Sequence, residues 1–252
     1  FLTVQVSIDS LFEGHDNSRK MPGGFVAMVE TLKELSKVRK NFKNLRIQIN
    51  TCFDDFNVNQ IKQIINYCKT HLEYDQQLFY LIREAGELIT KGNNHLIPKF
   101  IDTLLANEER EWRDNRKTIW HRVVRVLQGL TYKDLVEIKL NEKFIRPCFA
   151  TEKFVTLYDD GAVSPCEVLE DRMKLGNIKD YDYDFYKLQK LTKMKDLYSK
   201  EIVEGKCNCE WQCALPMNML YDPSVYFRIL KGLTSPSKIV QSVSQEVYGE
   251  AK

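Results

Sequence analysis

The sequence has no apolar run near the roughly 18 residues that a membrane span needs, so no spanning helix is expected. It has almost no net charge. Its 37 Lys and Arg against 35 Asp and Glu leave +2, with the signs interspersed along the chain. That removes the electrostatic footprint of a general nucleic-acid binder. It has no secretory leader pattern and no starting Met; Phe1-Leu2-Thr3-Val4 reads as the middle of a strand. A cytoplasmic setting is expected, where thiols stay reduced and a disulfide framework is not. There is no internal repeat, no low-complexity tract, no Cys-x2-Cys knuckle and no cysteine before Cys52.

What is present suits a globular chain. The 252 residues are 43% hydrophobic and 29% charged, enough for one large domain or two modest ones. "FLTVQVSID" (1–9) is β-rich, and the loop "SLFEGHDNSRKMPGG" follows it. Residues 25–40 have apolar positions at helical spacing, 44–53 alternate like a strand, 59–71 are helical and 76–85 form a third strand. The order β-α-β-α-β implies parallel strands with right-handed crossovers. In such folds chemistry gathers at the C-terminal ends of strands, which here carry Ser7, Asp9, Asp54, Asn57 and Arg83. Residues 94–143 read as a charged helical connector that packs Trp112, Trp120 and Val123 inwards. The acids Glu108, Glu109, Glu111 and Asp114 argue against a nucleic-acid helix. From 144 the texture changes to short strands, turns and cysteines.

Five of the seven cysteines fall after residue 147. "FATEKFVTLYDDGAVSPCEVL" reads as a hairpin turning at Asp159-Asp160-Gly161, and it is bracketed by Cys148 and Cys166. Gly161 suits the turn because it accepts positive φ. Cys207-x-Cys209-x3-Cys213 follows after a gap of 40 residues. A hairpin brings its ends together, and Cys209 and Cys213 on one helical turn project to one side. Two converging pairs give four thiolates in a tetrahedral set, which suits Zn²⁺ or an iron–sulfur cluster. Spacing does not choose between them. One of Cys207 and Cys209 is a spare thiol; Cys209 is favoured through its partner Cys213. Cys52 and Cys68 read as packing residues.

The Cys-x12-Gly-x4-Cys hairpin, "LGNIKDYD" (175–182) and "CNCEWQC" together resemble the SPASM/twitch extension of radical S-adenosylmethionine (SAM) enzymes. The N-terminal part resembles the fourth strand, loop and helix of the radical SAM barrel. The matching residues are Ser7-Ile8-Asp9, His15-Asp16-Asn17-Ser18-Arg19 and Gly23-Gly24. "IQINTCFDDFNVNQIKQI" looks like the next strand-loop-helix.

The resemblance implies an α/β chain: part of a (β/α)6 barrel (1–93), a helical connector (94–143), a small α+β cluster module (144–222) and a C-terminal tail (223–252). It implies SAM contacts at Ser7, Asp9 and Arg19, the Arg fork pairing with a carboxylate. Asp9 also reads as a capping residue, and His15-Asp16 as a loop turn with an Asx cap. Arg83 reads either as a further contact or as a surface charge. One auxiliary [4Fe–4S] cluster is implied on Cys148, Cys166, Cys213 and one of Cys207 or Cys209. The family's Cys-x3-Cys-x2-Cys motif, which holds the catalytic [4Fe–4S] cluster, does not occur in this sequence. The expectation is therefore the C-terminal portion of a longer enzyme, this chain alone being inactive, with natural loss of the motif as the other reading. The intact protein would generate a 5′-deoxyadenosyl radical and modify a peptide, sugar or other small molecule. Its electron donor would resemble flavodoxin or ferredoxin; neither membrane nor nucleic acid is implied. The alternative is a non-catalytic binding module stabilised by zinc or an Fe–S cluster.

Overall fold

The computed structural model describes residues 2–84, 87–114, 119–169, 173–191, 195–196, 198–204, 207–233 and 237–248. It divides into two compact units. One comprises Phe1–Ile82 and His95–Ala106; the other comprises Arg83–Asn94 and Asn107–Lys252.

The first unit is built on β1 (Leu2–Ser7), α1 (Glu13–Arg19), α2 (Gly24–Arg39), β2 (Leu45–Phe53), α3 (Ile61–His71) and β3 (Gln76–Leu81). The strands form a parallel sheet in the order β1-β2-β3. The β1–β2 register runs from Leu2↔Leu45 to Ser7↔Asn50, and the β2–β3 register from Gln48↔Gln76 to Phe53↔Leu81. Parallel strands need long crossovers, and the helices supply them. One face of β2 is buried through Ile47, Ile49, Thr51 and Phe53. Against this core the first turns of α4 (Ile97–Asp114) add Ile97, Phe100, Ile101 and Leu104, spaced at helical period. Phe53 is the hub: its ring meets Phe79 at 6.1 Å and Phe100 at 5.0 Å, both edge-on. The other face of the sheet is polar. Gln76 donates to Gln48 (2.5 Å), Gln48 to Asn50 (2.7 Å) and Asn50 to Gln5 (3.2 Å).

In the second unit α5 (Ile119–Asn141) is the organising helix. It packs against α7 (Ala214–Met219), α8 (Pro223–Gly232) and α9 (Ser237–Tyr248). Val126 and Leu130 of α5 meet Met219 and Val225 in one apolar cluster. A small antiparallel sheet joins β4 (Thr156–Leu157), β5 (Ala162–Ser164) and β6 (Gly176–Asn177). The expected turn is there. Gly161 has φ 90°, and a Cβ on it would lie 2.6 Å from Asn177 Oδ1. The short helix α6 (Phe185–Gln189) is capped by Asp184, whose side chain accepts from the Tyr186 and Lys187 amides. Val123 is half-buried, while the side chains of Trp112 and Trp120 and of the acids at 108–114 lie outside the described residues. Among the described residues no helix is long and apolar enough to cross a membrane.

Phe100 is fully buried against Phe53. Phe100→Ala should cost about 3–5 kcal/mol by removing transfer energy and leaving a cavity. Urea unfolding measures this; a loss below about 1 kcal/mol would mean that α4 does not close this core.

Candidate functional site

Two groups of chemistry-bearing residues emerge, one in each unit. In the first unit they lie beyond the C-terminal ends of β1 and β2. Ser7 ends β1, half-buried, in register with Asn50. Asp9 is buried; its Oδ1 accepts from the Cys52 amide (2.8 Å) and its Oδ2 forms an ion pair with Arg19 of α1. Asn57 is wholly buried and stitches the two strand ends together. Its amide donates to the carbonyls of Asp9 (2.7 Å) and Cys52 (2.6 Å), and its Oδ1 accepts from the Asp54 amide (3.0 Å).

Asp16 serves the backbone. Its carboxylate accepts from the amides of Gly23 and Phe25, both at 2.7 Å, and so caps the start of α2 from within α1. That satisfies donors every helix start leaves open. His15 is buried with its ring edge-on to Phe25, and its Nδ1 has no protein partner. Burial lowers its pKa from the ordinary 6.5, and Arg19 lowers it further, while Asp9 and Asp16 oppose them in part.

The second group is the thiol cluster. Cys148, Cys166, Ala150, Val168, Leu169 and Ile202 form a buried core, with Cys207, Tyr198, Trp211 and Leu88 packed on it. No two cysteines are joined in a disulfide. Cys207 lies within hydrogen-bonding reach of both the Cys148 and Cys209 sulfurs, its one proton available to either. These contacts push the Cys207 thiol up and lower its two partners, Cys148 to about 7, with Cys209 also lowered. Cys166 is raised to about 11, first by burial, and it also feels the charges of Cys209 and Cys148. Cys148, Cys166 and Cys207 thus share one apolar core, and Cys209 is in electrostatic contact with it. Cys213 is exposed at the N-cap of α7, and its electrostatic neighbours are Glu167 and Arg83. Cys209 lies in irregular chain ahead of that helix, so Cys209 and Cys213 do not share a helical turn.

Arg83 belongs to this second unit. It pairs with Glu167 at 3.4 Å, and its positive charge adds to the Cys207 hydrogen bond in lowering the Cys209 thiol. The segment bearing Cys148 is held on both sides. Asn218 accepts from the Phe149 amide (2.9 Å) and hydrogen-bonds the Cys148 thiol. Arg146 is buried between Asp134 of α5 (2.5 Å) and Asp222 (2.8 Å). Beside Tyr198 a cavity of about 290 Å³ is lined by Thr151, Glu152, Gln189, Lys190 and Lys195.

Among the described residues no group of three or more His, Cys, Asp or Glu side chains is placed to hold a metal ion. The residue types are those an iron–sulfur cluster takes, thiols in an apolar surrounding, but these side chains are not arranged as a ligand set. Asn218 and Asn57 carried no sequence signal for these contacts. Asn218 reaches Phe149 and Asn57 reaches Asp9 across long stretches of chain, which no local pattern reports.

No family model and no curated protein matches the chain. Solved structures do. The structure described as native anSMEcpe with bound AdoMet is 17% identical, with a TM-score of 0.50 over 96% of this chain and 68% of that one. A polyhistidine-tagged anSMEcpe with bound AdoMet is 15% identical, with a TM-score of 0.50 over 98% of this chain and 69% of that one. The chain shares the fold of these structures, a mixed α/β architecture with a parallel sheet.

The depressed pKa of His15 sets a pH dependence. The unfolded chain takes up this proton near 6.5, and the folded chain resists it to lower pH. Stability therefore falls as pH drops from 6.5 toward the depressed folded value. Urea unfolding at about pH 7.5 and about pH 5.5 should show a smaller loss for His15→Gln than for the parent. Equal losses would mean that burial does not hold His15 neutral.

Proposed function

We propose that this chain supplies part of a radical SAM enzyme: an AdoMet-contacting half-barrel (1–93), a helical connector (94–143) and a module (144–222) that holds one auxiliary [4Fe–4S] cluster, followed by a tail (223–252). What carries the reading is the meeting of Cys148, Cys166, Cys207 and Cys209 from three distant stretches of sequence. The likeness to AdoMet-bound anSMEcpe along nearly the whole chain supports it.

In this reading Cys148, Cys166, Cys207 and Cys209 hold the auxiliary cluster, and Cys213 does not. The cluster, when bound, supplies electron storage and an anionic site of delocalised charge. Arg83 acts in the electrostatics of the thiols rather than as an AdoMet contact, since its partners are Glu167 and the Cys209 sulfur. In this reading Ser7 offers a hydroxyl to the nucleoside of AdoMet and Arg19 a guanidinium to its carboxylate, with Asp9 beside it. The substrate is a peptide, a sugar or another small molecule, and the electron donor a flavodoxin- or ferredoxin-like protein. The setting is cytoplasmic.

Anaerobic reconstitution tests the ligand set. The parent chain should bind about four irons with acid-labile sulfide. Cys148→Ala, Cys166→Ala, Cys207→Ala and Cys209→Ala should each lose most of that iron, while Cys213→Ala, Cys52→Ala and Cys68→Ala keep it. Loss in Cys213→Ala with retention in Cys207→Ala would restore the ligand set expected from spacing. Zinc in place of iron would favour the non-catalytic module.

A second outcome concerns turnover. The sequence contains no Cys-x3-Cys-x2-Cys triple, so the open iron that grips AdoMet cannot be held by such a loop of this chain. Incubated without oxygen with AdoMet and dithionite, the 252-residue chain should release no 5′-deoxyadenosine by chromatography. Release would assign the catalytic cluster to the C-terminal cysteines.

A further inference from the structure

Glu210 lies between Cys209 and Trp211, both of which border the thiol cluster. Its own side chain is 3% exposed and faces Lys139 of α5, whose side chain is fully buried. The contact is complete on the carboxylate side. Oε2 accepts from Lys139 Nζ at 2.5 Å, and Oε1 accepts from the Thr90 amide at 3.1 Å. The Glu210 amide donates to the Leu88 carbonyl at 3.0 Å. Lys139 Nζ makes a second bond to the Thr90 carbonyl at 2.5 Å. Thr90 in turn closes its own loop, its hydroxyl accepting from the Glu84 amide at 2.9 Å.

Two buried charges are an expensive way to hold two segments together. An apolar pair of the same volume is often as stable or more so. What the ion pair adds is direction: a carboxylate fixed at both oxygens admits one orientation of its backbone, and an apolar contact admits many. Glu210 is one residue from the thiol that Cys207 shares a proton with, and Leu88 on the opposing loop packs on the same thiol core.

We infer that Glu210, locked by Lys139 and Thr90, is the positioning residue that fixes the Cys207–Cys209 segment against Cys148. The inference deepens the proposed cluster site and rests on that reading for its purpose.

The experiment uses the full metal-free chain first. Alkylation by iodoacetamide is followed at each cysteine by peptide mapping. In Glu210→Gln the rates at Cys207 and Cys209 should rise about tenfold, the change in open population expected when a local tether is lost. The rate at Cys68, buried elsewhere, should not change. The double variant Lys139→Met/Glu210→Leu removes both charges, so it should regain thermal stability while its Cys207 and Cys209 stay fast. After anaerobic reconstitution, both variants should hold less iron than the parent and give a shifted electron paramagnetic resonance spectrum. Phe100→Ala controls for stability alone, being destabilised without any change at these thiols.

Parent-like alkylation rates in Glu210→Gln would overturn the inference. So would a double variant that restores parental rates together with stability, because the pair would then be a structural brace only. A parent chain that binds no iron would sink the cluster reading and leave the alkylation result to decide the positioning role. Should Glu210→Gln fail to fold, the double variant alone decides between these outcomes.

Discussion

Two buried ion pairs rooted on α5 hold the C-terminal unit in register. Lys139 takes Glu210, and Asp134 takes Arg146. The two anchored residues lie immediately beside the two stretches that bear the grouped thiols, Arg146 two residues before Cys148 and Glu210 one residue after Cys209. Burial pushes the Asp134 carboxyl pKa up even with Arg146 against it. The pairs are thus costly to bury and cannot be ranked as simple stabilisers. Breaking one partner leaves the other charged and dry, a penalty of about 3–5 kcal/mol. That asymmetry makes each pair an effective lock: assembly is only modestly favoured, and partial assembly is strongly disfavoured.

The first unit solves its positioning problem with neutral groups and helix caps. Asn57 commits its whole side chain to three backbone groups at the ends of β1 and β2. Leaving any of those buried groups unpaired costs about 1–3 kcal/mol, so the loop after each strand is fixed by the same residue. Asp16 does similar work for α2, reaching Gly23 and Phe25. Arg19 and Asp9 are thereby brought together from a short helix and a strand end. The polar sheet face adds a chain of carboxamide bonds from Gln5 to Gln76. Each of these amides can donate and accept at once, so the network closes without a charge.

The elements that declared themselves in the sequence are those governed by local spacing. The alternation of 44–53 and the helical spacing of 25–40 reappear as β2 and α2, within a residue or two. The crossover argument anticipated a parallel sheet. Gly161 was legible because a turn needs positive φ, and its φ of 90° meets that need. His15-Asp16 could be read as a motif or as a cap; for Asp16 the cap is what the structure shows. The pairing of residue 139 with residue 210 was not legible. A lysine on a charged helix and a glutamate in a loop look like solvent-exposed residues until the fold buries both. For the cysteines, the hairpin argument paired Cys148 with Cys166, and the helical-turn argument paired Cys209 with Cys213 and so favoured Cys209 over Cys207.

The reason that second argument met a different geometry is physical. Helical spacing brings residues four apart together only where the chain is already helical, and α7 begins at Ala214. Ahead of it the chain is irregular, with the Glu210 amide bonded to Leu88 and the Cys207 amide to Ile202. Cys207 and Cys209 nonetheless both address Cys148. Asn208 and Glu210 alternate with them and turn the other way. Asn208 donates to the carbonyls of Glu142 and Lys143, just past the end of α5, and Glu210 meets Lys139 on the helix itself. The alternation that presents two thiols to Cys148 is therefore the same alternation that lays the next two side chains against α5. A segment with that pattern needs an acid at position 210 only if a base waits on the other side, and Lys139 is that base.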